Sequence, residues 1–243
     1  MCVYHKISHI PFHILAKPED ISPRVLVVGD PLRAERLANA LLKDHRLVNR
    51  NRYFLTYTGY YNGRNVTIGT HGIGAPSAAI VFEELRMLGA EIIVRLGTAG
   101  SLSDEIDVGT IFIPYGAAYE YGGTLGMYFG STCMPAVPDF QLTLEIKESI
   151  MSRGLSIAEG IVVSSDSFHG EEKYAEKWRE IGLKAVEMEC ATLFTLSRYK
   201  GFKSAAALLI IDNVFTGKIL DSTLKEKYEK LVASAVLDVI SKY

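Results

Sequence analysis

Arg24-Val25-Leu26-Val27-Val28-Gly29-Asp30-Pro31-Leu32-Arg33 is a β-branched run that breaks at a glycine and gives way to a helical pattern over Leu32 to Leu42. The same succession recurs. Val66 to Thr70 precedes a helix over Pro76 to Leu88, and Ile92 to Leu96 and Thr110 to Pro114 read as further strands. Helical patterns over Phe140 to Ser152, Glu171 to Ile181, Glu189 to Tyr199 and Ser222 to Ser241 alternate with strands over Ala158 to Val163, Ala185 to Met188 and Ala205 to Ile211. That order predicts an α/β fold built from parallel βαβ units, with more strands than one small open sheet holds. In the helix from Pro76, a proline opens the first turn, Ala78, Val81, Leu85 and Leu88 form an apolar stripe, and Gly89 ends it.

The chain has 243 residues, 48% of them hydrophobic and 22% charged, enough for one full core, and we read a single domain. A net charge of −2 without a basic cluster argues against a nucleic-acid partner and for small molecules. Cys2, Cys133 and Cys190 lack paired spacing, so neither a disulfide framework nor a zinc site is expected, and Cys133 is read as a free thiol. His5, His9 and His13 recur every four residues as metal ligands on a helix do, but Pro11 interrupts that helix, so no metal is expected. The N-terminus has no apolar leader and no 18-residue apolar run follows, which suggests a cytoplasmic protein with no membrane partner. Gly116 to Asp139, with five Gly and two Pro, reads as a long irregular stretch, a lid or a subunit contact.

Ligands of such sheets bind where the carboxyl ends of strands meet loops. Gly29-Asp30-Pro31-Leu32-Arg33 offers a close backbone approach, free N–H groups at a helix start and a guanidinium, a set suited to phosphate or to a plain Asp-Pro turn. Arg95, inside Ile92-Ile93-Val94-Arg95-Leu96-Gly97-Thr98-Ala99-Gly100, must meet an anion, and a ligand is favoured over a protein carboxylate. His71-Gly72-Ile73-Gly74-Ala75-Pro76-Ser77 is a second glycine-rich turn into a helix. Leu208-Leu209-Ile210-Ile211-Asp212-Asn213 ends in an acid that is either a proton donor or a turn cap. In Ala185-Val186-Glu187-Met188-Glu189, strand alternation sends both glutamates to one face, fit to grip hydroxyls or cations. No G-x-S-x-G elbow is present, so serine-hydrolase chemistry is not indicated.

These segments, with Ser164-Ser165-Asp166-Ser167-Phe168, resemble in this order the nucleoside phosphorylase family, in the branch of hexameric purine nucleoside phosphorylases, archaeal methylthioadenosine phosphorylases and uridine phosphorylases. The resemblance runs from His13 to the last helix. It implies one domain over residues 1–243, a mixed β-sheet partly closed into a barrel and flanked by helices. It implies a phosphate site of Gly29, Arg33, Arg95 and Thr98, completed by Arg52 from a neighbouring subunit. Glu189 would hold the ribose hydroxyls, Met188 would pack on the sugar, and His13 of a neighbour would reach its 5′ end. Phe168, Val186, Glu187, Ala99 and Gly100 would surround the base, and Asp212 would protonate a purine at N7.

The activity so implied is phosphorolysis of inosine, adenosine, guanosine and, as a further candidate, 5′-methylthioadenosine, to free base and sugar 1-phosphate. Such a pentosyltransferase of purine salvage takes inorganic phosphate as co-substrate and needs no metal or organic cofactor. Two site residues borrowed from a neighbour imply a homo-oligomer, a hexamer built as a trimer of dimers. Ile211 before Asp212, and lysines in place of a downstream arginine, depart from the bacterial purine enzymes. Glu171 and Lys173 stand where uridine phosphorylases read uracil with Gln and Arg. Uridine phosphorylase is the alternative, nucleoside hydrolysis and non-catalytic nucleoside binding the remoter ones.

Overall fold

The computed structural model describes residues 10–120 and 122–243; Cys2, His5 and His9 lie outside them. Among the described residues nine strands form one sheet. They are β1 (Arg24–Val28), β2 (Lys43–Asn49), β3 (Thr56–Tyr61), β4 (Arg64–Thr70), β5 (Ile92–Ser101), β6 (Ile111–Tyr119), β7 (Ile157–Ser164), β8 (Ala185–Glu187) and β9 (Lys203–Asn213), in the order β2-β3-β4-β1-β5-β8-β7-β6-β9. A further pairing of β5 with β9 closes β5, β8, β7, β6 and β9 into a ring, the partly closed barrel the family resemblance implies. Among the described residues seven α-helices flank the sheet: α1 (Pro31–Leu41), α2 (Ala75–Met87), α3 (Gly123–Phe129), α4 (Phe140–Met151), α5 (Ala175–Glu180), α6 (Cys190–Lys200) and α7 (Ser222–Ile240).

Alternation along β1 explains the layering. Val25 and Val27 join a cluster with Phe82 and Leu85 of α2 and Leu193 and Phe194 of α6. Leu26 and Val28 point the other way, to Leu37 of α1, Ile146 of α4 and Val236 of α7. Both faces of the strand are covered, as parallel strands require. The Asp30 side chain accepts the Leu32 N–H at 2.9 Å and starts α1, with Pro31 at its first position. Asp139 and Asp221 cap α4 and α7 in the same way.

Four features differ from the sequence expectation. β2 and β3 extend the sheet antiparallel, beyond the βαβ units. β3 turns into β4 through Asn62-Gly63, both with positive φ, a two-residue hairpin signal visible in the sequence. Glu171 to Ile181 is a 3-10 turn, Phe168–Lys173, followed by the short α5. Gly116 to Asp139 is less irregular than its composition suggests, since β6 runs to Tyr119 and α3 follows.

Candidate active site

The carboxyl ends of the mutually parallel β4, β1, β5 and β9 lie at one edge of the sheet, and the short β8 pairs there, antiparallel, with the last two residues of β5. β5 runs on through Ser101, so Arg95 to Gly100 lie within the strand, with a bulge between Ala99 and Gly100. Gly100 pairs with Val186 on one side and Asp212 on the other. A Cβ at Gly100 would stand 3.2 Å from Asp212 Oδ2 and 3.4 Å from Val186 Cγ1, so glycine there keeps room above the row Val186, Gly100, Asp212.

Arg95 is fully buried and its Nη2 pairs with both Glu187, at 3.0 Å, and Glu189. The expectation that a ligand rather than a protein carboxylate answers this arginine is corrected to that extent: its partners are two glutamates of its own chain. Burial alone would weaken its charge, but Glu189 and Glu187 outweigh that and raise its pKa above the ordinary arginine value. Strand periodicity puts Gly97 on the same face, where a Cβ would overlap the guanidinium. Arg-x-Gly in a buried strand was the sequence signal for this requirement.

The two glutamates divide sharply. Glu187 accepts hydrogen bonds from the backbone N–H groups of Glu189 (2.8 Å) and Cys190 (3.0 Å), from the Ser164 hydroxyl, and from Arg95. Its side chain is 1% exposed. Expected on the base-pocket wall, it is instead consumed as the anchor that starts α6 and fixes Arg95. Glu189 accepts the Gly74 N–H at 2.7 Å and pairs with Arg95. That leaves lone pairs for further donors. The glycine turn of residues 71–74 thus serves Glu189, and Gly72 and Gly74 take positive φ to make it.

Arg33 is buried with its Nε 2.9 Å from Glu229 Oε1, yet neither atom makes an aligned hydrogen bond. Burial lowers its pKa, and Glu229 partly restores it. His71 is fully buried at the end of β4, edge-on to Phe82, and neither ring nitrogen has a partner. Burial first, then the charges of Arg95 and Arg33, hold it well below the ordinary histidine pKa, so it is neutral. Arg95 Nε is likewise buried and unpartnered. Buried polar groups left so cost about 1–3 kcal/mol each. His71, Glu229 and Gly97 went unassigned in the sequence reading, although His71 opens one of its quoted motifs.

Asp212 is half-buried and bridges to Ile219, and burial raises its pKa. Thr98, Gly29 and Met188 are also half-buried, Ala99 and Val186 buried, and Phe168 is 67% exposed on its 3-10 turn. His13 is half-buried and packs edge-on to Phe54 with 6.3 Å between ring centroids, and Arg52 is exposed on the turn just before it. Glu84 accepts the N–H groups of Phe12, His13 and Ile14 and meets His13 Nδ1 at 2.8 Å. Asn51 Nδ2 donates to His13 O, tying that segment to the turn that carries the exposed Arg52 at φ 49°. Tyr53, Phe12, Ile10 and Leu15 are exposed around them.

The phosphorylase superfamily model matches residues 23–241. The chain belongs to the phosphorylase superfamily. Its relatives in the superfamily include a guanosine phosphorylase of Halorubrum lacusprofundi, 35% identical over 92% of this chain and 94% of that protein. A purine nucleoside phosphorylase DeoD-type of Clostridium novyi is 36% identical over 88% of the chain and 92% of its own length. The crystal structure of a uridine phosphorylase from Vibrio fischeri superposes with a TM-score of 0.86 at 30% identity, covering 96% of this chain and 98% of that one. This superfamily member is therefore an enzyme of the pentosyltransferase class, on the α/β barrel the resemblance implied. Among its described residues no helix is long and apolar enough to cross a membrane.

Proposed function

We propose that this chain cleaves purine nucleosides by phosphorolysis, releasing the base and a sugar 1-phosphate. One observation carries the reading: Arg95 Nε and both ring nitrogens of His71 are buried without a hydrogen-bond partner, with the His71 ring 3.6 Å from where a Cβ on Gly29 would stand and within reach of the charges of Arg95 and Arg33. An oxyanion held there satisfies donors the protein leaves open. The names of the Halorubrum and Clostridium relatives support the same activity.

Breaking an N-glycosidic bond leaves an oxocarbenium-like sugar and an anionic base, so the base must be neutralised and the cation stabilised. Asp212, protonated more readily than an ordinary aspartate because it is half-buried, donates its proton to purine N7. Phosphate lies among Gly29, Arg33, Arg95 and Thr98, with Arg52 of a neighbour closing over it, and attacks C1′ as the base departs. Glu189, fixed by Gly74 and Arg95, accepts hydrogen bonds from the ribose hydroxyls while Met188 packs on the sugar. Val186, Ala99, Gly100 and Phe168 surround the base. Phosphate is the only co-substrate these steps require. The outward patch of His13 and Arg52 suits a dimer that exchanges these two residues, repeated into a hexamer, working in the cytoplasm.

Purified protein incubated with inosine, adenosine, guanosine, methylthioadenosine and uridine, each with and without phosphate, tests the reading. Purine release that depends on phosphate and yields sugar 1-phosphate is expected. Base release without phosphate contradicts phosphorolysis, and cleavage of uridine alone contradicts the purine assignment.

A further inference from the structure

Glu229 has no part in the steps above, yet its side chain is only 2% exposed. It stands on α7 with Val232, Ala233 and Val236 following on the same face, and these share one apolar cluster with Ala34, Leu37 and Ala38 of α1. A carboxylate in such a seam is unfavourable unless a cation answers it, and an apolar side chain of like size would serve the packing as well or better.

Two cations answer it, both from α1. Glu229 Oε1 lies 2.9 Å from Arg33 Nε, and Oε2 accepts a hydrogen bond from Arg36 Nη2 at 3.3 Å. Arg33 and Arg36 are three residues apart, so one helix face presents both guanidinium groups to one carboxylate. Arg36 also reaches Glu226, one turn earlier on α7, at 3.6 Å. The four charges alternate along the seam, Glu226, Arg36, Glu229 and Arg33, from the exposed rim to the buried end.

The two contacts of Glu229 differ. Toward Arg33, Nε and Oε1 are close enough for their charges to compensate but are not aligned as a hydrogen bond. Burial works against the charge of Arg33, and Glu229 works for it. A carboxylate on the Nε side leaves the two Nη groups for another anion, and that two-pronged edge suits phosphate oxygens.

We propose that Glu229 is a positioning residue for phosphate: anchored by Arg36, it fixes Arg33 with its Nη edge toward the anion and does not touch the anion itself. The proposal rests on the reading of Arg33 as a phosphate ligand. Through Glu229, the helix that follows the strand of Asp212 braces the phosphate site.

The test is steady-state kinetics with phosphate and nucleoside varied in turn, for the parent, Glu229→Met, Glu229→Gln, Arg36→Ala, Arg33→Ala and the double variant of Arg33→Ala with Glu229→Met. Methionine fills the seam with a side chain of like length and no charge. Glu229→Met should raise KM for phosphate by about tenfold or more, with kcat and KM for nucleoside within about threefold of the parent. Glu229→Gln, which keeps an oxygen beside Nε, should restore most of that loss. In the Arg33→Ala background Glu229→Met should add nothing. Arg36→Ala, at an exposed position, should raise KM for phosphate by about threefold and gives a second reading. An unchanged KM for phosphate in Glu229→Met, or in Arg36→Ala where Glu229→Met does not fold, overturns the proposal. So does a loss spread equally over kcat and both KM values, or one that persists in full without Arg33, since either makes Glu229 a bolt between two helices. An Arg33→Ala variant with the parent's KM for phosphate overturns the reading of the phosphate site instead.

Discussion

Arg95 and Gly97 share one space: the guanidinium of the first lies where a side chain of the second would stand. A strand carries them on one face, and only glycine lets the arginine fold back toward Glu187 and Glu189. Gly97→Ala should displace the guanidinium and lower kcat/KM for phosphate by about 100-fold, since small misplacements of a positioning group cost that much. Phosphate-dependent initial rates measure it, and an unaltered constant would mean that Arg95 does not serve phosphate.

Asp212 must carry a proton to give one. Asp212→Asn should slow purine release by about 10²–10⁴-fold, while phosphate binding measured by calorimetry stays as in the parent. Burial raises the carboxyl pKa, so the active, protonated form persists to higher pH than an ordinary aspartate allows. Activity should be fullest below that pKa and decline as pH rises through it, a limb that the asparagine variant lacks.

Glu187 spends its carboxylate on Arg95, Ser164 and the first N–H groups of α6. Glu187→Ala strands a buried guanidinium and opens a helix start, so it should destabilise the fold by about 3–5 kcal/mol. Denaturant unfolding checks this. A loss below about 1 kcal/mol would assign the residue to the ligand rather than to the scaffold.

Glu171 links stability to pH in the opposite sense from a salt-bridged acid. Its folded pKa of about 7 exceeds the ordinary value of 4.5, so its contribution is fully present below the ordinary value and is lost as pH climbs to the folded one. Glu171→Gln should therefore melt with the parent near pH 4.5 and at a higher temperature than the parent above pH 7. Thermal melts across that window decide it, and a constant difference at all pH values contradicts the linkage.

His13 and Arg52 lie together on the exterior through Asn51 and Glu84. If they complete a neighbour's site, Arg52→Ala and Asp212→Asn should each be inactive alone. Dissociated, mixed and reassembled, they should regain activity, because a mixed pair holds one site with both native residues. Mixtures that stay inactive while sizing columns show hybrid oligomers would place Arg52 outside any shared site.

Much of this protein was legible in its sequence. Apolar runs ending at Gly29, Gly100 and Asp212, each followed by a turn or helix signal, located the strand ends because burial and chain punctuation are local properties. The hairpin at Asn62-Gly63 was equally local, but no strand was read over Thr56–Tyr61 to pair across it. Two acids on one strand face were visible too, as Glu187 and Glu189. Their different roles were not: which one caps α6 and which stays open depends on Ser164, Gly74 and Arg95, far away along the chain. The buried ring of His71 and the lone oxygen of Glu171 were invisible for the same reason, since a missing partner is defined only once every neighbour is placed. Periodicity and turn chemistry, acting between adjacent residues, determined the strands, helices and glycine turns. The closure of β5 on β9 brought Gly100 against Asp212, and that juxtaposition exists only in the folded ring.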